Sequence, residues 1–287
     1  MTNGYRALRE TVACIDLSAR GRIKVTGEDR ARLLHAMTTN HVSGLKPGES
    51  CYAFFLNAQG RILADATILC LDDHFLLDVE PELREFLIEH LDRYIIADDV
   101  VLEDVTAITS EHSLEGPQAP LGSGPATVRA STTGEPGIRI FGASTTPEAP
   151  LATPEDVYIV RHENFFPRFG DDFTSAHLPQ ETGITDALHF SKGCYLGQEI
   201  VERVRSRGHV NRILMGFRME GEAPVGKGAK VTLEDNEVGE ITSAAYSPVR
   251  DATFAMGYIR VVAAKPGAVV QVAGRAAQVS AIKASRT

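Results

Sequence analysis

The pattern of apolar and polar positions at the start of the chain predicts a strand followed by an amphipathic helix. Residues 22–26 alternate in the manner of a half-buried strand. The next apolar positions, Leu33, Leu34 and Met37, share one helical face, and the polar residues between the two segments are suited to the start of a helix. We therefore expect a strand that leads directly into a capped helix.

Further strands and a second helix are predicted downstream. Residues 51–56 and 62–71 are rich in β-branched and aromatic side chains, and the turn residues between them predict a hairpin. Residues 74–79 continue it as a third strand. Pro81 then opens a segment whose apolar residues follow helical spacing: Leu83, Phe86, Leu87, Leu91, Tyr94 and Ile95. Residues 1–110 are thus expected to form an α+β unit.

A second α+β unit is predicted over residues 111–210, followed by a small β-barrel over 211–287. Residues 115–154 are rich in Gly, Pro, Ala, Ser and Thr, which predicts loops around little core, interrupted by a strand-like piece at 137–141. Residues 156–161 alternate in the manner of a strand. The last segment consists of short β-rich runs separated by turns, which is typical of a barrel.

Composition and charge limit the classes of function. The chain has 287 residues, of which 43% are hydrophobic, and can bury roughly three quarters of its unfolded surface. A net charge of -9 argues against direct binding to nucleic acid. The first residues lack the apolar core of a signal peptide, and no stretch reaches the roughly 20 apolar residues of a membrane helix. We therefore expect a cytoplasmic protein with no membrane partner.

The four cysteines are predicted to be free thiols. Cys14, Cys51, Cys70 and Cys194 lie far apart and form no CxxC pair, so local ligand spacing does not predict a zinc site or an iron–sulfur cluster. Disulfides would require an oxidising compartment. We expect no stably bound metal.

Residues 192–199, with the sequence Lys-Gly-Cys-Tyr-Leu-Gly-Gln-Glu, form the segment of strongest chemical character, which we call the cysteine motif. Its two glycines can take positive φ or let a ligand approach the backbone, and Lys192 can stabilise a thiolate. Two interpretations of Cys194 stay open: a reactive thiol of lowered pKa, or a small buried side chain in an ordinary turn. Gln198 and Glu199 begin an apolar run that fits either a helix or a strand.

A local basic cluster follows the cysteine motif in this acidic chain, and its members are Arg203, Arg205, Arg207, His209 and Arg212. Arginines at alternate positions would place several guanidinium groups on one side of an extended segment. Such an arrangement suits a carboxylate or a phosphate. The alternative is a solvated charged face without a ligand.

The cysteine motif and the arginine segment after it resemble the signature of the YgfZ-type folate-binding proteins, relatives of the glycine-cleavage T-protein, the aminomethyltransferase. Residues 33–40 resemble the first helix of that family, and residues 47–61 resemble its tyrosine and turn segment. The resemblance implies a ring of two α+β subdomains and a small C-terminal β-barrel around a central channel for tetrahydrofolate or a one-carbon derivative. It also implies a role in the assembly or repair of iron–sulfur enzymes, including tRNA-modifying ones, with folate and iron–sulfur proteins or their assembly factors as partners.

The same resemblance implies the residues of the site. Cys194 would be the functional thiol, with Lys192 beside it. A pterin requires a carboxylate for its N–H and amino groups, and the anionic glutamate tail of a folate requires arginine. The residues expected to contact the cofactor are Tyr52, Asn57, Asp65, Glu163, Gln198, Glu199, Arg203 and Arg205.

Rival functions remain open at this point. Aminomethyltransferases carry paired acids where this chain has Ala64 before Asp65, which favours an accessory protein over a folate-dependent aminomethyl or methyl transferase. Cys194 could act as a nucleophile or redox thiol, or as a transient ligand for iron that a partner offers. An RNA-binding role for the arginine segment is a third hypothesis, against which the net charge argues.

Overall fold

The computed structural model describes residues 1–120, 122, 124, 126–142 and 146–286, and part of the predicted loop segment 115–154 lies outside them. The helices of the described residues are α1 (Asn3–Glu10), α2 (Arg30–Met37), α3 (Arg84–Asp92), α4 (Pro154–Glu163), α5 (Pro179–Thr182) and α6 (Gln198–Arg207). Within this part of the chain, no helix is long and apolar enough to cross a membrane.

The strands form two antiparallel sheets and one closed barrel. They are β1 (Ala13–Asp16), β2 (Gly21–Thr26), β3 (Ser50–Leu56), β4 (Ile62–Cys70), β5 (Phe75–Val79), β6 (Val101–Asp104), β7 (Glu111–Glu115), β8 (Thr127–Arg129), β9 (Gly137–Phe141), β10 (Arg212–Glu220), β11 (Lys230–Leu233), β12 (Asn236–Ser247), β13 (Ala252–Arg260), β14 (Val269–Val272) and β15 (Arg275–Ser280).

The first sheet has the strand order β3-β4-β5-β2-β6 and confirms the predicted hairpin and third strand. The hairpin turn is closed by Asn57, whose side-chain oxygen accepts from the backbone N–H of Arg61, and by Gly60, which has a φ of +71°. Helix α2 buries Leu33, Leu34 and Met37 against this sheet, as their helical spacing predicts.

The second sheet has the order β1-β7-β9-β8, so one of its two edge strands comes from the N-terminal part of the chain. Ala13–Asp16 pairs antiparallel with β7, and helix α1 packs against α4. The loops of this sheet are organised by Glu115, whose buried carboxylate accepts hydrogen bonds from the backbone N–H groups of Thr132 and Thr133 and from the Ser131 hydroxyl. A buried carboxylate thus holds loops that have little apolar core.

The strand predicted at residues 156–161 is wrong, because this segment is the interior of helix α4. The helix begins with a capping box, in which the Thr153 hydroxyl accepts from the N–H of Asp156 and the Asp156 carboxylate accepts from the N–H of Thr153. Pro154 occupies the first helical position. These start signals are stronger than the short alternation that follows them.

The predicted C-terminal barrel is confirmed, with the closed strand order β10-β13-β12-β11-β14-β15. Gly216 of β10 leaves space for the ring of Phe165, since a Cβ at this position would lie 2.4 Å from that ring. After β15 the chain returns towards α4, and the backbone N–H of Lys283 donates to the carbonyl of Phe165 at 2.9 Å. This return carries the last described residue, Arg286, to the region between the two sheets.

A cluster of buried charges connects the two sheets. Asp78 on β5 accepts hydrogen bonds from Arg20 and from Arg139 on β9. Glu111 on β7 is fully buried, and its oxygens lie 3.7 Å from Arg22 and 3.9 Å from Arg139. Burial raises the pKa of Glu111 to about 8, and the negative charge of Asp78 adds to this shift. The neighbouring arginines lower the pKa but do not cancel the shift.

Replacement of Glu111 by Gln is expected to flatten the pH dependence of stability. The unfolded side chain titrates near 4.5, so the wild-type fold binds the extra proton and loses stability as the pH rises through about 8. As the pH rises from 6 to 9, the free energy of unfolding of Glu111→Gln should increase by about 2 kcal/mol relative to that of the wild type. Urea unfolding at both pH values measures this gain. Glu103→Gln, at an exposed position of β6, is the control and should show no such gain.

Candidate functional site

A cavity of about 670 Å³ lies between the two sheets, and its size is within the range of small-molecule sites. Strands β1, β3, β4 and β9 contribute to its walls, together with helix α4 and the loop that follows it. A second cavity of about 190 Å³ shares Tyr158 and Asp171 with the first and reaches β12 of the barrel. The main cavity therefore lies where the three parts of the fold meet.

Tyr52 and Asp65 form a hydrogen-bonded pair in the cavity wall. They lie on the neighbouring strands β3 and β4, and the Tyr52 hydroxyl donates to Asp65 Oδ2. The other oxygen, Asp65 Oδ1, is buried without a hydrogen-bond partner. Burial, followed by the charge of Glu80, raises the pKa of Asp65 to about 6, although Tyr52, Arg286 and Arg20 oppose the shift. The cavity thus contains a carboxyl group with one free oxygen that titrates close to neutral pH.

Glu80 and three arginines of the wall, Arg20, Arg161 and Arg168, are held in ion pairs. Glu80 accepts from Arg20 at 2.5 Å and lies 2.7 Å from Arg168. Burial alone would raise the pKa of Glu80, but the two arginines outweigh it and lower the pKa to about 2. Arg161 of α4 forms ion pairs with Asp171 and Asp172. These pairs fix the shape of the wall.

Arg286 is a cavity residue that sequence reasoning missed. Its guanidinium lies 4.9 Å from the ring centroid of Tyr52 and 4.1 Å from that of Phe166, and it donates to the carbonyl of Pro167 at 2.6 Å. No local pattern marks this residue, because only the closure of the barrel brings the chain end back to the cavity. Arg20, Glu80 and Arg168 were missed for the same reason, since their partners are distant in sequence.

Glu163 does not line the cavity, although the resemblance implies a pterin contact for it. Its buried carboxylate accepts from the hydroxyls of Tyr5 at 2.6 Å and Ser247 at 2.5 Å. Arg9 and Arg250 lie 3.4 and 3.5 Å away. Burial, together with Glu163, raises the pKa of the Tyr5 hydroxyl. Glu163 thus joins α1, α4 and the barrel.

Asn57 also lies outside the cavity wall, at the turn of the β3–β4 hairpin, where it contacts the cysteine motif. The backbone of Gly197 passes so close to this turn that a Cβ there would lie 2.6 Å from the carbonyl oxygen of Asn57. A Cβ at Gly60 would lie 2.7 Å from the side chain of Ile200. The motif is therefore packed directly on the tip of the hairpin.

The cysteine motif presents its thiol to solvent. Gly193 and Gly197 have φ values of +96° and +83°, as expected for glycines that frame a tight turn. Cys194 is exposed, so the interpretation as a small buried side chain is wrong. Gln198 begins helix α6, so the apolar run that starts there is a helix and not a strand. Its side-chain oxygen accepts from the backbone N–H of Tyr195 at 3.3 Å.

Lys192 ties the cysteine motif to the end of α2. Its ammonium donates to the carbonyls of His35 and Thr38, and a ring nitrogen of His35 lies 2.7 Å from the carbonyl oxygen of Lys192. Burial lowers the pKa of Lys192 to about 8. These contacts position the backbone of the loop, and a direct effect of Lys192 on the Cys194 thiol stays a prediction.

The predicted arrangement of the arginine segment is wrong, because Arg203, Arg205 and Arg207 lie on helix α6 and not on an extended segment. Alternate residues of a helix are about 200° apart around its axis, so Arg205 lies on the side opposite to Arg203 and Arg207, and the three guanidinium groups do not share one side. Arg205 is paired with Glu202 at 3.4 Å. Arg212 begins β10 and is paired with Glu181, and no residue from 192 to 212 lines the main cavity.

Apart from Glu163 and Asn57, the site residues expected from sequence fall into two regions. Tyr52 and Asp65 line the cavity, whereas Lys192, Cys194, Gln198, Glu199, Arg203 and Arg205 belong to the cysteine motif and helix α6 outside it. The tip of the β3–β4 hairpin contacts the second region, and the strands of the same hairpin contribute to the first.

Two segments of the chain match domain models of the T-protein. Residues 1–121 match the GCVT N-terminal domain, and residues 212–286 match the glycine cleavage T-protein C-terminal barrel domain. The fold is similar to the crystal structure of the glycine cleavage system aminomethyltransferase T from Bartonella henselae, with a TM-score of 0.81 and 20% identity over 97% of this chain and 87% of that one. The predicted T-protein-like α+β fold with its barrel is thereby confirmed.

Several relatives share most of the length of the chain. An aminomethyltransferase of Rubrobacter xylanophilus is 26% identical, over 89% of this chain and 78% of its own. The mitochondrial iron–sulfur cluster assembly factor IBA57 of Mus musculus is 28% identical, over 77% of this chain and 71% of its own. A chloroplastic protein of Arabidopsis thaliana that carries the provisional name of a transferase is also 28% identical, over 91% and 68%.

Replacement of Glu163 by Gln is expected to destabilise the fold by about 2 kcal/mol, because it removes the charge that two hydroxyls and two arginines contact. Urea unfolding measures the loss. The matched control is Glu155→Gln, at an exposed position of the same helix, which should change the free energy of unfolding by a few tenths of a kcal/mol at most. A variant of unchanged stability that no longer binds folate would instead support the pterin contact implied by the resemblance.

Proposed function

We propose that this protein binds tetrahydrofolate or a one-carbon derivative of it and serves as an accessory factor in the assembly or repair of iron–sulfur proteins. The observation that carries the first part is the free oxygen of Asp65 beside Tyr52, in the cavity of a T-protein-like fold. A buried carboxylate oxygen without a partner is costly, and a ligand that donates to it removes this cost.

The cavity has the chemistry that a pterin requires. A pterin presents an edge of N–H and amino donors, for which Asp65 Oδ1 is the acceptor. Its faces are flat, and Tyr52 and Phe166 contribute aromatic rings to the wall. In this proposal the bound folate supplies the one-carbon chemistry, while Tyr52 and Asp65 bind and orient its ring.

The iron–sulfur part of the proposal is supported by Cys194. This thiol is exposed in a loop whose backbone is fixed by Lys192 and by the hairpin tip. Thiolate is a soft ligand that iron prefers, and a single thiol would need further ligands from the partner protein. The mouse relative is named as an iron–sulfur cluster assembly factor. Gln198 and Glu199 at the start of α6, with Arg203 and Arg205 further along it, would then face the partner rather than the folate.

A folate-dependent aminomethyl transferase is the second candidate, because several relatives are named aminomethyltransferases. The absence of an acid at position 64 does not weigh against it. Ala64 is fully buried in the core of the first sheet and is not among the residues that line the cavity. Release of methylenetetrahydrofolate from an aminomethyl donor would establish the transferase.

Replacement of Asp65 by Asn is expected to weaken binding of a reduced folate about tenfold or more, because the charged acceptor is lost. Wild-type affinity should fall as the pH drops below about 6, where Asp65 gains a proton, and the variant should lose this pH dependence. Calorimetric titration with 5-formyltetrahydrofolate measures both effects. Asp73→Asn, in an exposed turn, is the control. A wild-type protein that binds no reduced folate at high micromolar concentration would exclude the proposed function.

Replacement of Cys194 by Ser is expected to abolish support of iron–sulfur enzymes while it leaves stability and folate affinity unchanged, because the thiol is exposed and lies outside the cavity. The activity of an iron–sulfur enzyme in cells that depend on this protein is the measurement, with thermal unfolding and folate titration as controls. Full support by the Ser variant would remove the thiol from the mechanism.

A further inference from the structure

The arginines of the main cavity differ in whether a carboxylate neutralises them. Five of them line the cavity, and four of these form ion pairs with carboxylates: Arg20 with Asp78 and Glu80, Arg139 with Asp78 and Glu111, Arg161 with Asp171 and Asp172, and Arg168 with Glu80, Glu82 and Asp171. Among the described residues, no carboxylate lies within ion-pair distance of the fifth, Arg286. Its charge is therefore available to a ligand.

Arg286 also has an unpartnered polar atom. Its Nε is buried and has no hydrogen-bond partner, while one terminal nitrogen donates to the carbonyl of Pro167. Asp65 Oδ1 is the corresponding unpartnered acceptor in the same cavity. Both side chains contact Tyr52, because its hydroxyl binds Asp65 and its ring faces the guanidinium at 4.9 Å. A free donor and a free acceptor thus flank one tyrosine.

We propose that Arg286 is a ligand-binding residue that works with Asp65, such that its Nε–H donates to an acceptor on the ligand while Asp65 Oδ1 accepts from a neighbouring N–H. This inference rests on the proposed function and deepens it. A cyclic amide edge, with an N–H beside a carbonyl or a ring nitrogen, satisfies both atoms, and a pterin has such an edge. A ligand that only donates, or only accepts, would leave one buried group unpaired.

The C-terminal segment delivers this residue. After β15, the backbone N–H of Lys283 donates to the carbonyl of Phe165, and its ammonium donates to the carbonyl of Gly134 in the loop between β8 and β9 of the second sheet. The segment is thereby tied to both the loop after α4 and the second sheet before it reaches the cavity. The residues beyond the barrel are consequently part of the binding site and complete its wall.

The test is a calorimetric titration of the full-length protein with 5-formyltetrahydrofolate. Arg286→Ala should weaken binding about ten- to a hundredfold, in keeping with the loss of a hydrogen bond from a charged donor. Arg286→Lys should recover little of it, because an ammonium has neither the planar group that stacks on the rings nor an Nε–H at the same position. Lys265→Ala, in an exposed turn of the barrel, removes one cation elsewhere and should bind as wild type does.

A second readout separates ligand binding from a merely structural role. Arg286 lowers the pKa of Asp65, so its removal should move the fall of affinity with decreasing pH to a higher pH. Deletion of residues 284–287, which removes the side chain together with its segment, should give the same loss and the same displacement of the pH profile. This variant also replaces Arg286→Ala if the latter does not fold.

The outcomes distinguish the two proposals. The role of Arg286 would be overturned if the wild type binds folate and both Arg286→Ala and the deletion bind it with unchanged or higher affinity. A higher affinity would show that the guanidinium occupies the ligand's position and must be displaced. The proposed function would stand in that case. A wild-type protein that binds no folate would overturn both.

Discussion

The contact between Asp78 and Arg139 is the interaction on which the rest of the structure depends, because it joins the first sheet to the second. Asp78 lies on β5 and Arg139 on β9, and both side chains are almost fully buried. The two sheets also meet through a buried apolar cluster that includes Leu76 of the first sheet and Phe141 of the second. The ion pairs lie beside this cluster and border a cavity that small molecules can occupy. The unfavourable part of this arrangement is Glu111, a buried acid whose carboxylate has no hydrogen-bond partner.

The barrel contributes to the site without lining the main cavity. Glu163 connects it to α1 and α4, and the chain that leaves it brings Arg286 back to Tyr52. Glu163, which the family resemblance assigns to ligand binding, thus has a structural environment. Arg286, which belongs to no motif, lies against the cavity residue Tyr52. Burial and partners, rather than residue type, distinguish the two.

Sequence predicted the parts of the fold that depend on local pattern. The hairpin with its turn at Asn57, the helix with Leu33, Leu34 and Met37, and the barrel all follow from short-range periodicity and turn residues. Helix α4 was mistaken for a strand because six alternating residues were given more weight than the start signals at Thr153 and Pro154. The arginine segment was misplaced because its geometry depends on whether α6 is helical. Arg286 and the ion pairs of Arg20 could not be predicted, since they depend on contacts between residues more than 50 positions apart.

The β3–β4 hairpin has a mechanical consequence for the chemistry of this protein. Its tip at Asn57 contacts the glycine that frames the thiol, and its strands hold Tyr52 and Asp65 in the cavity. Asn57 follows Tyr52 by five residue steps along the strand, a length of roughly 17 Å. A folate ring at Asp65 and an iron atom at Cys194 would therefore be held at the two ends of a stiff rod rather than in one reacting complex. Displacement of the hairpin at one end would move the other end as well, so that a ligand in the cavity would affect the loop that carries the thiol.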